Sequence, residues 1–205
     1  MKTLYVASGN AHKIQEIQAI LKELVFDIKG LDTIKGYQAP EETGSSFIEN
    51  ARIKADSLKL FLQKTPPNNF DASTTYIIAD DSGLECDDLG GEPGIRSARY
   101  AGENATDAQN NQKLIDEYNQ NTHLSRGAHF TCALALITPD GIVHEIIEKC
   151  NGHITLAAKG DHGFGYDPHF YLEELGKSMA ELSQAEKNKI SHRGKALRKL
   201  MDVLT

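Results

Sequence analysis

The sequence predicts an α/β protein built on a mixed sheet. Three observations carry that expectation. Short apolar runs of strand length alternate with segments whose apolar residues recur at helical spacing, two of the runs flank a Pro-Asp-Gly turn, and no internal repeat or low-complexity stretch interrupts the pattern. At 205 residues the chain fits one domain, or two lobes sharing a core, and is long enough to bury an apolar interior.

The first element is a strand over Thr3 to Ala7, followed by Ser8-Gly9-Asn10 and a helix with Ile14, Ile17, Leu21 and Leu24 on roughly one face. Ser46, with Glu49 three residues later, forms a capping box opening a second helix. Its Phe47, Ala51, Ala55, Leu58 and Leu62 recur at helical spacing and are expected in the core. Pro66-Pro67-Asn68-Asn69 breaks that pattern and leads into a strand, Tyr76 to Ala79, that stops at Asp80-Asp81-Ser82-Gly83. Thr106 and Asp107 start a third helix through Leu114, Ile115 and Tyr118. Phe130 to Ile137, the Pro139-Asp140-Gly141 turn and Ile142 to Ile147 form a hairpin, and a closing helix runs from about Ser191 to Leu204.

Composition excludes several classes of function. Hydrophobic residues make up 40% and charged residues 25%, as in ordinary soluble proteins. A net charge of −7 argues against a general nucleic-acid or anionic-membrane surface, so any polyanion site must be local. Cys86, Cys132 and Cys150 are widely spaced and contain no CxxC pair, which indicates neither a disulfide framework nor a zinc site. No apolar stretch approaches the ~20 residues of a membrane span. A cytoplasmic protein in a reducing compartment, without a membrane or nucleic-acid partner, is expected.

Five segments carry the chemistry. In Asp80-Asp81 an apolar run meets two carboxylates, and successive side chains of an extended chain face opposite ways, so one aspartate faces a cleft and the other the scaffold. The same residues also suit a strand end with an Asx-type turn. Two helices begin with cations, the reverse of what the helix dipole favours, so something negative belongs there. In Ser8-Gly9-Asn10-Ala11-His12-Lys13 a glycine admits a ligand to the backbone, free N–H groups are offered, and Lys13 lies in the first turn. That is a phosphate cradle or simply a cap. Around Ser191, a second cap, Lys187, His192 and Arg193 cluster, either as a site or as a solvated basic face. Gly163 to Pro168 offers Phe164 for stacking on a base and Asp167 for a polar contact, or an aromatic loop anchored in the core. Glu41-Glu42 can join an aspartate around a hard cation, for which magnesium prefers few carboxylates, several waters and phosphate oxygens. GxxxxGK[ST] is missing, so this is not a P-loop protein, and Gly163-Phe164-Gly165 lacks the GxGxxG spacing of a dinucleotide fold. Together the ingredients are those of a Mg²⁺-dependent enzyme acting on a nucleoside phosphate.

In this order, SGNAHK (8–13), EETGSSFIENARIKA (41–55), IADDSGLECDDLGGEPGIRSARYAG (78–102), GFGYDPHF (163–170) and AELSQAEKNKISHRGKAL (180–197) closely resemble the RdgB/HAM1 family of inosine/xanthosine triphosphate pyrophosphatases. The resemblance spans Ser8 to Leu197. It implies an elongated mixed sheet with flanking helices, two lobes around a central cleft, a homodimer, and Mg²⁺-dependent hydrolysis of ITP, dITP and XTP to the monophosphate and pyrophosphate. It further implies that Ser8, Gly9, Asn10, Ala11, His12 and Lys13 hold phosphates, and that Glu41 and Asp81 are metal ligands, with Glu42 the alternative register. Asp81 would be the proton acceptor and Ser82 a substrate contact. Phe164, Gly165, Tyr166, Asp167, Lys187, His192 and Arg193 would embrace base and sugar. A free aspartate, with a pKa of about 3.9, is a weak base at neutral pH. Arg193 is expected to donate to the 6-oxo group that adenine lacks.

Overall fold

A computed structural model describes residues 1–204. Its strands form one seven-stranded sheet in the order β2-β1-β3-β4-β5-β6-β7. The strands are β1 (Lys2–Val6), β2 (Phe26–Lys29), β3 (Thr75–Cys86), β4 (Gly127–Ile137), β5 (Val143–Ile154), β6 (Phe170–Leu172) and β7 (Lys177–Ser178). β1 pairs in parallel with β2 and β3, whereas β6 is antiparallel to β5 and β7, so the sheet is mixed as expected. The helices are α1 (Ala11–Leu21), α2 (Phe47–Lys64), α3 (Asp107–Gln120), α4 (Gln184–Ile190) and α5 (His192–Leu204). None is long and apolar enough to cross a membrane, among the described residues.

The chain divides into two compact units. The first comprises Met1–Asp81, Cys132–Ile147 and the segment from Ala196, and the second Ser82–Thr131 and Glu148–Lys195. In the first, strand alternation sorts side chains onto two faces. Leu4, Val6, Ile78, Cys132, Leu134 and Leu136 pack with Ile17 and Leu21 of α1 and Leu197, Leu200 and Leu204 of α5. Tyr5, Ala7, Ile77, Ala79, Ala135 and Ile137 meet Ala51, Ala55, Leu58 and Leu62 of α2. Coverage on both faces explains why these strands read as continuous apolar runs. Leu58 and Leu62 are fully buried, and each contributes about 1.5–3 kcal/mol.

The core of the second unit gathers Leu84, Cys86, Phe130, Ile154, Phe170 and Met179 around Leu114, Ile115 and Tyr118 of α3. α3 opens with a complete capping box between Thr106 and Gln109.

Two expectations change. β3 does not stop at the acidic pair but continues to Cys86. The alternation persists past it, with Leu84 and Cys86 fully buried, and that burial outweighs the turn composition of Asp-Asp-Ser-Gly. The capping box of α2 is half made: Ser46 accepts from the Glu49 N–H, but the Glu49 carboxylate accepts from the N–H and hydroxyl of Ser45 instead.

Candidate functional site

β3 sorts its two carboxylates by parity. Asp80 shares a face with Ile78 and so meets α1, where Lys13 Nζ lies 2.6 Å from its Oδ1. Cys132, which has the same parity on β4, donates its thiol to Asp80 Oδ2 at 3.4 Å. Asp81 shares a face with Ile77 and Ala79 and so meets α2: Lys54 Nζ lies 2.8 Å from its Oδ1, and Asn50 Nδ2 donates to its Oδ2 at 3.4 Å. Both aspartates are buried, and their opposite orientation is the one the extended chain requires.

Lys54 is shared. Its Nζ also lies 3.0 Å from Glu42 Oε1, so two carboxylates converge on one cation. Glu41, next door, is exposed. The loop carrying both glutamates is tied to α2 by Asn50, whose Oδ1 accepts from the Gly44 N–H at 2.8 Å. Burial pushes the Asp81 carboxyl above its ordinary value, and the ammonium groups of Lys54 and Lys13 oppose that shift without cancelling it. Burial acts to lower Lys54, but Asp81 and Glu42 outweigh it and hold its ammonium above the ordinary lysine value. Asn50 and Lys54 were not singled out in the sequence. Their i, i+4 spacing, one residue ahead of Ala51 and Ala55 in the core stripe, is the signal that places them on one face of α2.

In the segment from Ser8 to Lys13, Asn10 is the N-cap of α1 and its Oδ1 accepts from the His12 and Lys13 N–H groups at 2.9 and 3.2 Å. Ser8 Oγ accepts from the Asn10 N–H at 3.2 Å. The cap is therefore real. Gly9, Asn10, Ala11 and His12 are exposed, no acidic residue stands in the first turn, and space is open where a side chain at Gly9 would project. A helix N-terminus of this kind accepts anions.

The remaining candidates lie in the second unit. Lys187, His192 and Arg193 are 3%, 5% and 1% exposed, which rules out a solvated basic face. Lys187 belongs to α4, a helix not foreseen although Ser183 and Glu186 form a complete capping box at its start. Ser191, extended between α4 and α5, accepts from the Gly194 N–H at 3.1 Å. Gly194 must be glycine, because an added Cβ would collide with the Asn188 carbonyl. That close approach seats Arg193, whose Nη2 donates to Ser82 Oγ at 2.7 Å.

The aromatic loop closes on itself. Asp167 Oδ2 accepts from the Phe164 N–H at 3.0 Å and from Lys187 Nζ at 2.6 Å, a buried charge pair that fixes the turn. Lys187 Nζ stands 4.6 Å from the Phe164 ring centroid and Arg193 Cζ 5.9 Å, so two cations attend one aromatic ring. His192 stacks on Phe130 with centroids 4.9 Å apart and planes 16° apart. Tyr166 is spent on the core: it is buried, and its hydroxyl donates to the Ser97 carbonyl at 2.8 Å. The structure thus brings together Phe164, Asp167, Lys187, Arg193 and Ser82 in one unit, and Lys13, Asp80, Asp81, Lys54 and Glu42 in the other.

No group of three or more His, Cys, Asp or Glu side chains is gathered as a metal site among the described residues. The donor set that is present, two carboxylates already sharing one cation, fits a hard ion such as Mg²⁺, which takes one or two carboxylates and completes its shell with water and phosphate oxygens.

Comparison with known proteins agrees along the whole chain. The model of the Ham1 family matches residues 4–203. A dITP/XTP pyrophosphatase of Bacillus anthracis is 44% identical over 98% of this chain and 95% of its own length. One from Bacillus subtilis is 41% identical over 100% and 98%. A HAM1 protein from Coxiella burnetii superposes with a TM-score of 0.84 at 37% identity, covering 100% of this chain and 98% of its own. Given this coverage, the chain belongs to the Ham1 family.

Proposed function

We propose that the chain hydrolyses non-canonical purine nucleoside triphosphates, ITP, dITP and XTP, to the monophosphate and pyrophosphate, and so clears them from the nucleotide pool. Relatives at 41–44% identity that carry the name dITP/XTP pyrophosphatase support the reaction. The observation that carries it is Asp81: a buried carboxylate beside Lys54 and Glu42, in the unit that also holds the cationic N-terminus of α1.

The residues divide the work. Ser8 to Lys13 present backbone N–H groups and the Lys13 ammonium to the phosphates. Asp81 takes the proton of the attacking water, and the burial that lifts its carboxyl makes it a stronger base than a free aspartate. Glu42 and Asp81 are the ligands we assign to Mg²⁺, because Glu42 shares a cation with Asp81 whereas Glu41 is exposed. Mg²⁺ bound there would neutralise phosphate charge and make a bound water more acidic. Phe164 stacks on the base, Arg193 donates to its 6-oxo group, Ser82 holds the guanidinium, and His192 and Lys187 complete the surround.

A turnover assay with ITP, dITP, XTP and ATP in Mg²⁺, with both products assigned, tests the proposal. Monophosphate and pyrophosphate from the first three support it. Release of inorganic phosphate would make the chain a phosphatase instead, and binding without turnover would make it a nucleotide sensor.

A further inference from the structure

Thr106 caps α3 so that Asp107 is its first residue, and Asn111 follows one turn later on the same side. These two side chains grip one residue of the aromatic loop from both ends. Asp107 Oδ2 accepts from the Gly165 N–H at 2.6 Å, and Asn111 Nδ2 donates to the Gly165 carbonyl at 2.8 Å. Only the amide orientation with Nδ2 toward that carbonyl makes a bond, which fixes the donor. Gly165 itself has φ 61°, in the left-handed region that favours glycine, and both of its backbone polar groups are bonded to α3.

The neighbours show what the grip serves. On one side of Gly165, the Phe164 N–H is bound to Asp167, which is locked by Lys187. On the other, Tyr166 is anchored through its hydroxyl to Ser97, whose Oγ accepts from the Leu84 N–H at 2.9 Å on β3. Phe164 is half-buried and carries two cations near its ring. A ring on a short loop stacks productively only if the backbone beneath it is fixed, because a small misplacement costs stacking area and orientation.

We infer that Asp107 and Asn111 are positioning residues that set the pose of Phe164, and through it the selectivity for the base. This rests on the reading that Phe164 stacks on the base. Neither side chain is assigned a contact with substrate. Losing one hydrogen bond of the clamp frees the loop without emptying the core.

The test has two readouts, measured on the full chain. Hydrogen exchange of the segment 163–166 reports the clamp without any nucleotide. Asp107→Ala and Asn111→Asp are expected to speed that exchange, while Asp107→Asn, which keeps an acceptor oxygen, is expected to preserve it. In turnover, the first two variants are expected to raise KM for ITP by roughly three- to tenfold, with a smaller change in kcat, and to narrow the ITP/ATP ratio of kcat/KM. Asp107→Asn is expected to stay near wild type. A merely structural role would lower thermal stability without moving that ratio. Should Asp107→Ala fail to fold, Asn111→Asp carries the same comparison. Unchanged exchange in the folded variants would overturn the clamp. Faster exchange with an unchanged ITP/ATP ratio would overturn its role in selectivity. A wild-type protein inactive on ITP would instead overturn the proposed function, and the exchange data would still decide the clamp.

Discussion

Lys54 reaches Asp81, to 2.8 Å between Nζ and Oδ1, because Asp81 falls on the same face of β3 as Ile77 and Ala79, against which α2 packs. A shift of one residue along the strand would have turned Asp80 to the face of α2 and Asp81 to the face of α1. The two carboxylates are therefore not interchangeable, although they are adjacent and chemically identical.

Asp81→Asn keeps the shape of the side chain but removes its charge and its ability to take a proton. kcat is expected to fall by about a hundred- to a thousandfold, with the thermal transition retained. Asp80→Asn, which gives Lys13 a neutral partner and changes the acceptor of the Cys132 thiol, is expected to cost less. The two kcat values with ITP check this, and the reverse ranking would exchange the roles of the two faces.

Removing the shared cation changes the proton affinity of Asp81 in a known direction. Lys54 lowers that carboxyl, so Lys54→Met is expected to raise it further. A carboxyl whose folded pKa exceeds its unfolded value binds more protons when folded. Its contribution to stability is therefore fully present below the ordinary value of 3.8 and is lost as pH rises through the folded value. Carboxyl ¹³C titration of the metal-free protein is expected to show the Asp81 midpoint above 3.8 in the wild type and higher again in Lys54→Met.

Base and phosphate recognition are expected to separate by mutation. Arg193→Ala removes the proposed donor to the 6-oxo group, at an expected cost of roughly 1–3 kcal/mol for ITP, and less for ATP, which offers no acceptor there. Lys13→Ala is expected to depress both substrates alike. The ratio of kcat/KM values for ITP and ATP, in variants with wild-type circular dichroism, decides. An unchanged ratio in Arg193→Ala would move base reading to the Phe164 loop.

The thiols provide a check on the core. Burial pushes the Cys86 thiol up to about 12 and also raises Cys150, and Cys132 is fully buried against Asp80. Thiolate is the reactive form, so the native protein is expected to be inert to an aromatic disulfide reagent at pH 8. After denaturation all three cysteines are expected to react.

What could be read in advance follows the range of the interaction. The stripe Ala51, Ala55, Leu58, Leu62 and the Ser46 cap of α2 are local patterns, and the helix forms where they place it. The caps at Asn10 and Ser191 were legible for the same reason. Turn chemistry at Asp80 to Gly83 misled, because it competes with the burial of Leu84 and Cys86, which depends on packing from elsewhere in the chain. The pairings that give the site its electrostatics join residues distant in sequence, Lys54 with Asp81 and Lys187 with Asp167. Nothing in a single sequence marks such partners. The same limit hid the grip of Asp107 and Asn111 on Gly165.

The most direct test of the proposed chemistry is where the oxygen of water ends up. ITP turned over with Mg²⁺ in ¹⁸O-labelled water, with products resolved by ³¹P NMR, is expected to place the label on the phosphate of the monophosphate and leave pyrophosphate unlabelled, as the proposed attack of water on the α-phosphorus requires. Label in pyrophosphate, or release of labelled inorganic phosphate with IDP, would contradict it.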